Sequence, residues 1–216
     1  MQTTWRTIKG VLCGVFVCAL SVAALAQTPA PQFVQLSAGP IVQEHSHRLV
    51  VTDARHGKLR TLEVPGAIRR ALVSSSSVAF PAARSSVIDG HEFIMVVVNQ
   101  SSSDNPTGYC GAGEEGTLYV LRLDGKRAEL AYSTLVQSCL KNIDLFTDSG
   151  NKSPYLAIAW TDGGDGFWIH WANYAKPEPV TRRYRYANGN FVVDSELPKR
   201  RFHKGPEGLL TFAASC

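Results

Sequence analysis

An excess of charge is the first thing this sequence lacks. It carries 22 basic against 18 acidic residues, and two of the basic ones, Arg6 and Lys9, stand in an opening segment that reads as an export leader. The 20 basic groups left nearly balance the 18 acidic ones. Such a chain has no electrostatic footprint for nucleic acid or for an anionic membrane surface. Apolar residues at a helical period are scarce too, and only Gly66–Leu72 and a turn around Glu114 and Glu115 invite a helix. No fixed repeat runs through the chain, which argues against a propeller of recognisable blades. Equally missing are a His-Glu-x-x-His pair, the alternating acids and closing glutamate of a helix-flanked calcium loop, and the glycine-lysine pattern that holds phosphates.

What is present begins with the leader. A basic start, an apolar stretch from Gly10 to Ala26 and the small-residue exit Ala24-Leu25-Ala26 are the three parts of a secretory signal, in order. The stretch is broken by Gly14 and Ser21 and is short for a spanning helix. Cleavage after Ala26 would leave 190 of the 216 residues, enough for one domain with a hydrophobic core. The expected division is a signal peptide at 1–26, a proline-rich lead at 27–32 and a single β domain at 33–216. The expected location is periplasmic or secreted, with no membrane span after cleavage.

Export puts the remaining cysteines, Cys110, Cys139 and Cys216, where thiols oxidise. Three pairings are open. Cys110 with Cys139 is favoured, because each borders an apolar run and the loop between them is of moderate length. Cys216 is left over at the terminus.

Beyond the lead, apolar residues recur at period two in short runs separated by turn residues. Arg48–Thr52 and Lys58–Val64 flank a hairpin tip at Arg55-His56-Gly57. Glu92–Asn99 is apolar on both faces and should be a central strand covered on both sides. Thr117–Leu123 turns at Asp124-Gly125 into Ala128–Val136, and Pro154–Thr161 returns across a glycine-rich turn into Gly166–Ala172. Val180–Tyr186 and Asn190–Asp194 meet at Asn188-Gly189, which supplies the positive φ values of a type I′ turn. Leu209–Ala213 is a last apolar run. The expected fold is mostly β, an antiparallel sandwich, barrel or hairpin array of about ten strands with little helix.

The block from Cys110 to Leu145, with Cys110-Gly111-Ala112-Gly113 before Glu115 and Ser138-Cys139-Leu140 before Ile143 and Leu145, resembles one in small exported bacterial proteins of unsettled function. The resemblance supports pairing of the two cysteines it contains and implies no catalytic residues. Some exported β domains with one disulfide bind and neutralise cell-wall hydrolases or toxins, which is an analogy of class.

Several local patterns could carry chemistry. Ser138 and Lys141 have the Ser-x-x-Lys spacing of penicillin-recognising enzymes, but that spacing needs a helix. His45 and His47 could share one strand face as the start of a metal site, yet no third ligand is in view. The acidic turns Asp144–Asn151 and Asp162–Gly166 are explained by hairpin geometry. Lys199-Arg200-Arg201 reads as a solvated loop. No catalytic residue, metal or cofactor is expected. Two segments suit a partner: the disulfide-anchored turn with Glu114 and Glu115, and the face carrying Trp168 and His170 beside Arg183 and Arg185, because tryptophan and arginine dominate binding hot spots. The expected function is an exported, non-enzymatic binding protein, an inhibitor or immunity-like partner of an envelope-active enzyme or toxin. The alternatives are an envelope-acting hydrolase and a structural envelope component.

Overall fold

The structure is a computed structural model, and it describes residues 30–53, 57–103, 107–108, 110–146, 153–175 and 178–194. The leader, the tip residues Arg55 and His56, the basic run at 199–201, the run Leu209–Ala213 and Cys216 lie outside the described residues.

The described residues form thirteen strands in three antiparallel sheets, arranged as a sandwich and not as a closed barrel. The N-terminal sheet has the order β1 (Phe33–Gln35), β2 (Ile41–His45), β3 (Arg48–Thr52) and β4 (Leu59–Thr61). A helix, α1 (Gly66–Val73), follows. The central sheet holds β5 (Ser77–Ala79) and β6 (Ser86–Ile88) on one side of β7 (His91–Ser101), then β8 (Glu114–Asp124) and β9 (Arg127–Ser138) on the other. A 3-10 turn at Pro154–Ala157 leads into the C-terminal sheet, ordered β10 (Ile158–Trp160), β11 (Gly166–Trp171), β12 (Val180–Ala187) and β13 (Asn190–Val193).

The central sheet is covered on both faces, as the doubly apolar run in β7 requires. Phe93, Met95 and Val97 enter one core with Ile158, Phe167, Ile169 and Tyr184 of the C-terminal sheet. Ile94, Val96 and Val98 enter a second core with Val42, Leu49 and Val51 of the N-terminal sheet and Ile68 and Leu72 of α1. Alternation of side chains along a strand produces this division.

Turn chemistry sets the hairpins. Asn188-Gly189 joins Ala187 to Asn190 with both φ values positive, as expected. Asp89-Gly90 does the same between Ile88 and His91. Ser46-His47 is a third such turn, closing the pair His45 and Arg48. His45 and His47 therefore do not sit two apart on a strand, and the shared face imagined for them does not exist.

Other expectations need correction. The stretch Pro154–Thr161 is not one strand: its first four residues form the 3-10 turn, whose opening position suits a proline that has no N–H to donate. The strand expected over Lys58–Val64 is confined to Leu59–Thr61. Glu114 and Glu115 are not on a turn or helix but open β8, opposite Ser101 and Gln100. Pairing with the long β7 gives their backbone groups partners that a protruding turn would lack. β9 matches β8 only with irregularities at Gly116/Thr117 and Val120/Leu121, each adding local twist.

β11 and β12 approach so closely at one point that only glycine fits. A Cβ on Gly166 would lie 1.9 Å from the Tyr184 carbonyl oxygen, well inside contact distance. Gly166→Ala is expected to destabilise the fold by about 3 kcal/mol, the upper part of the usual range for overpacking. Urea denaturation checks this, and an unchanged midpoint would mean that the two strands do not come this close.

Candidate binding surface on the C-terminal sheet

The inner face of the C-terminal sheet is fixed by its core residues, Phe167, Ile169 and Tyr184. Alternation then turns Trp168 and His170 of β11, and Thr181, Arg183 and Arg185 of β12, to the other side. Register makes Trp168 the partner of Arg183 and His170 the partner of Thr181. The Arg183 guanidinium carbon lies 5.5 Å from the centre of the Trp168 ring, a cation–π stack.

That guanidinium is held from two directions. It donates to the Asp165 carboxylate, and its Nη1 lies 3.6 Å from Asp194, which is also 3.7 Å from Arg185 Nε. The hydrogen bond from Arg183, followed by that from the Thr161 hydroxyl, holds the Asp165 carboxyl below the usual aspartate range. Thr161, itself buried, builds the turn that presents Asp165: its Oγ1 accepts the N–H groups of Asp165 and Gly166, each at 3.1 Å. This hydrogen bonding accounts for the acidic turn Asp162–Gly166. The Nε of Arg183 is buried and has no partner. His170 Nδ1 lies 2.8 Å from Thr181 Oγ1, and burial pushes its imidazole down from the ordinary histidine value.

The structure thus brings Trp168, His170, Arg183 and Arg185 onto one face. Glu114 and Glu115 stand apart from it, on the central sheet. Glu114 accepts the Ser76 hydroxyl at 2.7 Å, and Glu115 accepts the Ser102 hydroxyl at 2.8 Å and the Leu140 N–H at 3.3 Å. Burial pulls the Glu115 carboxyl upward, but hydrogen bonds from Ser138, Ser102 and the N–H groups of Leu140 and Cys139 outweigh it and leave the group below its ordinary value. Beside it, Cys110 and Cys139 form a disulfide. Gly113 is packed onto that bridge, where a Cβ would fall 2.6 Å from Cys139 Cβ.

Ser138 ends a strand, and its hydroxyl accepts the backbone N–H of Lys141 at 2.9 Å. The Ser-x-x-Lys spacing therefore falls on a turn, where serine closes the chain reversal. Among the described residues no group of three or more His, Cys, Asp or Glu could hold a metal ion, and no helix is long and apolar enough to cross a membrane. Local patterns do not single out Asp165, Asp194 or Thr161 as holding Arg183, although Asp194 is within their reach: counting outward from Asn188-Gly189 sets it opposite Arg183.

No known protein family matches the chain, and no curated protein or solved structure matches it either.

Two outcomes follow from the disulfide corner. Replacing both Cys110 and Cys139 by serine opens a loop with a sequence separation of 29 and is expected to cost about 3–4 kcal/mol on the chain-entropy estimate, read from denaturation midpoints. Glu115 has a depressed folded-state pKa, so its contribution is complete above the ordinary value of 4.5 and is lost as pH falls through the folded value. Glu115→Gln should therefore be less stable than the parent at neutral pH and lose less on acidification to pH 3. Parallel stability–pH curves for the two proteins would contradict this.

Proposed function

We propose that this chain is an exported, non-enzymatic binding protein of the periplasm or extracellular space, and that it grips another exported protein with the Trp168 and Arg183 face. The best-fitting partner class is an envelope-active enzyme or toxin that it restrains. The observation carrying the reading is the stack of Arg183 on Trp168, with the guanidinium already held by Asp165 and Asp194. Side chains fixed before docking lose little conformational entropy on binding, and tryptophan and arginine are the residue types that supply most interface energy. Val192, 43 % exposed and opposite Arg185, extends the face with apolar surface. The disulfide is consistent with an oxidising compartment.

The test is capture of partners from the envelope fraction by the tagged chain, with mass spectrometry. Trp168→Ala and Arg183→Ala should each weaken the captured complex by about 2 kcal/mol or more, near thirtyfold in Kd. Recovery of bait alone would count against the proposal. Equal capture by both variants would move the binding surface elsewhere on the molecule.

A further inference from the structure

On the opposite side of the central sheet, the outer face of the N-terminal sheet holds a shallow, half-open hollow of about 340 Å3 lined by His45, Ser46, Arg48, Val50, Leu59 and Thr61, of which only Val50 is buried. Val42, Leu49 and Val51 point into the core, so alternation turns His45, Arg48 and Val50 outward. His45 pairs with Arg48 across the Ser46-His47 turn, and Val50 pairs with Thr61. The Arg48 guanidinium and the His45 ring thus occupy one end of the hollow, and the apolar floor begins two residues along the strand, about 7 Å away.

Val50 faces outward yet is only 5 % exposed and forms the floor, whereas Leu59 at its rim is 53 % exposed. Neither Arg48 nor His45 is paired with a carboxylate among the described residues. The residues that β1 to β4 turn outward include no aspartate or glutamate. This contrasts with the C-terminal face, where carboxylates already hold Arg183. A guanidinium left without a counter-ion beside an apolar floor is complementary to a ligand that brings negative charge at one end and hydrocarbon at the other. The volume lies at the lower end of small-molecule sites.

We propose that this hollow binds a small carboxylate amphiphile, its carboxylate against Arg48 and His45 and its apolar chain over Val50 and Leu59. A free fatty acid and the C-terminal residue of an apolar peptide share this chemistry.

The test is titration of the purified chain with sodium octanoate, followed by amide chemical shifts. Saturable shifts confined to 45–50 and 59–61 are expected. Octanol, which lacks the charge, and acetate, which lacks the chain, should bind at least about tenfold more weakly. Arg48→Gln should weaken octanoate at least about tenfold and Leu59→Asp should remove binding, while Trp168→Ala leaves it unchanged. N-acetyl-leucine binding more tightly than octanoate would identify a peptide C-terminus as the source, and weaker binding a free acid. Octanoate shifts that are absent or lie elsewhere would overturn the proposal. So would parent-like binding by Arg48→Gln and Leu59→Asp variants whose circular dichroism shows them folded.

Discussion

Everything in this fold leans on a strand that is buried on both sides. From Phe93 to Val98 no side chain of β7 is more than 1 % exposed, and successive residues feed opposite cores. Such a strand has a weakness: a slip of one residue would exchange one apolar set for the other, so hydrophobicity alone does not pin its register. The ends supply what the middle lacks. At the start, the two-residue turn Asp89-Gly90 ties β7 to β6. At the far end, buried Asn99 donates to the hydroxyls of Ser77 at 2.9 Å and Tyr155 at 2.5 Å. It also lies over Gly116, where any Cβ would come within 2.7 Å of its Oδ1. A slipped strand would put a valine in that polar position and leave the amide without partners, a penalty that apolar burial elsewhere does not recover.

The C-terminal sheet inherits its orientation from this framework. After β9 the chain reverses at 139–142, and Ile143–Phe146 bridges to β11, with the Phe146 N–H donating to His170 and the Ala172 N–H to Asp144, both at 2.9 Å. The disulfide and the Glu115 carboxylate gather the backbone groups of that reversal. Trp168 and Arg183 are thus presented by a sheet anchored through its core, through Leu145 and through the cross-linked corner. The polar groups that hold Arg183 add geometry on top of an apolar foundation.

Much of this architecture was legible from residue patterns. The doubly apolar run at 92–99, the Asn-Gly hairpin, the short helix at Gly66–Leu72 and the Cys110 and Cys139 pairing all follow from local rules. So did the facing of Trp168 and His170 away from Phe167, Ile169 and Trp171, because period-two alternation carries that information. What was missed was partly tertiary and partly unusual turn chemistry. Glu114 and Glu115 look like turn residues until the length of β7 extends the pairing to reach them. Pro154–Thr161 looks like a strand until its proline opens a helical turn. His45-Ser46-His47 looks like a strand face because its turn carries neither the glycine nor the asparagine that usually announces positive φ. Asp165 meets Arg183 only once β11 and β12 are paired, a contact between residues eighteen apart in the chain.

The irregular pairing of β9 reaches beyond its own sheet. Between its bridges to Glu63 and Ile143 this twelve-residue strand has no strand paired to its outer edge among the described residues, and from Leu130 to Ser138 it contains no charged residue and no proline. A straight strand of that composition would be a template for joining identical molecules edge to edge into fibres. The two interruptions coil it instead, so that a second chain laid alongside cannot keep step for more than a few residues. Curvature at that edge opposes strand addition where other proteins use lysine.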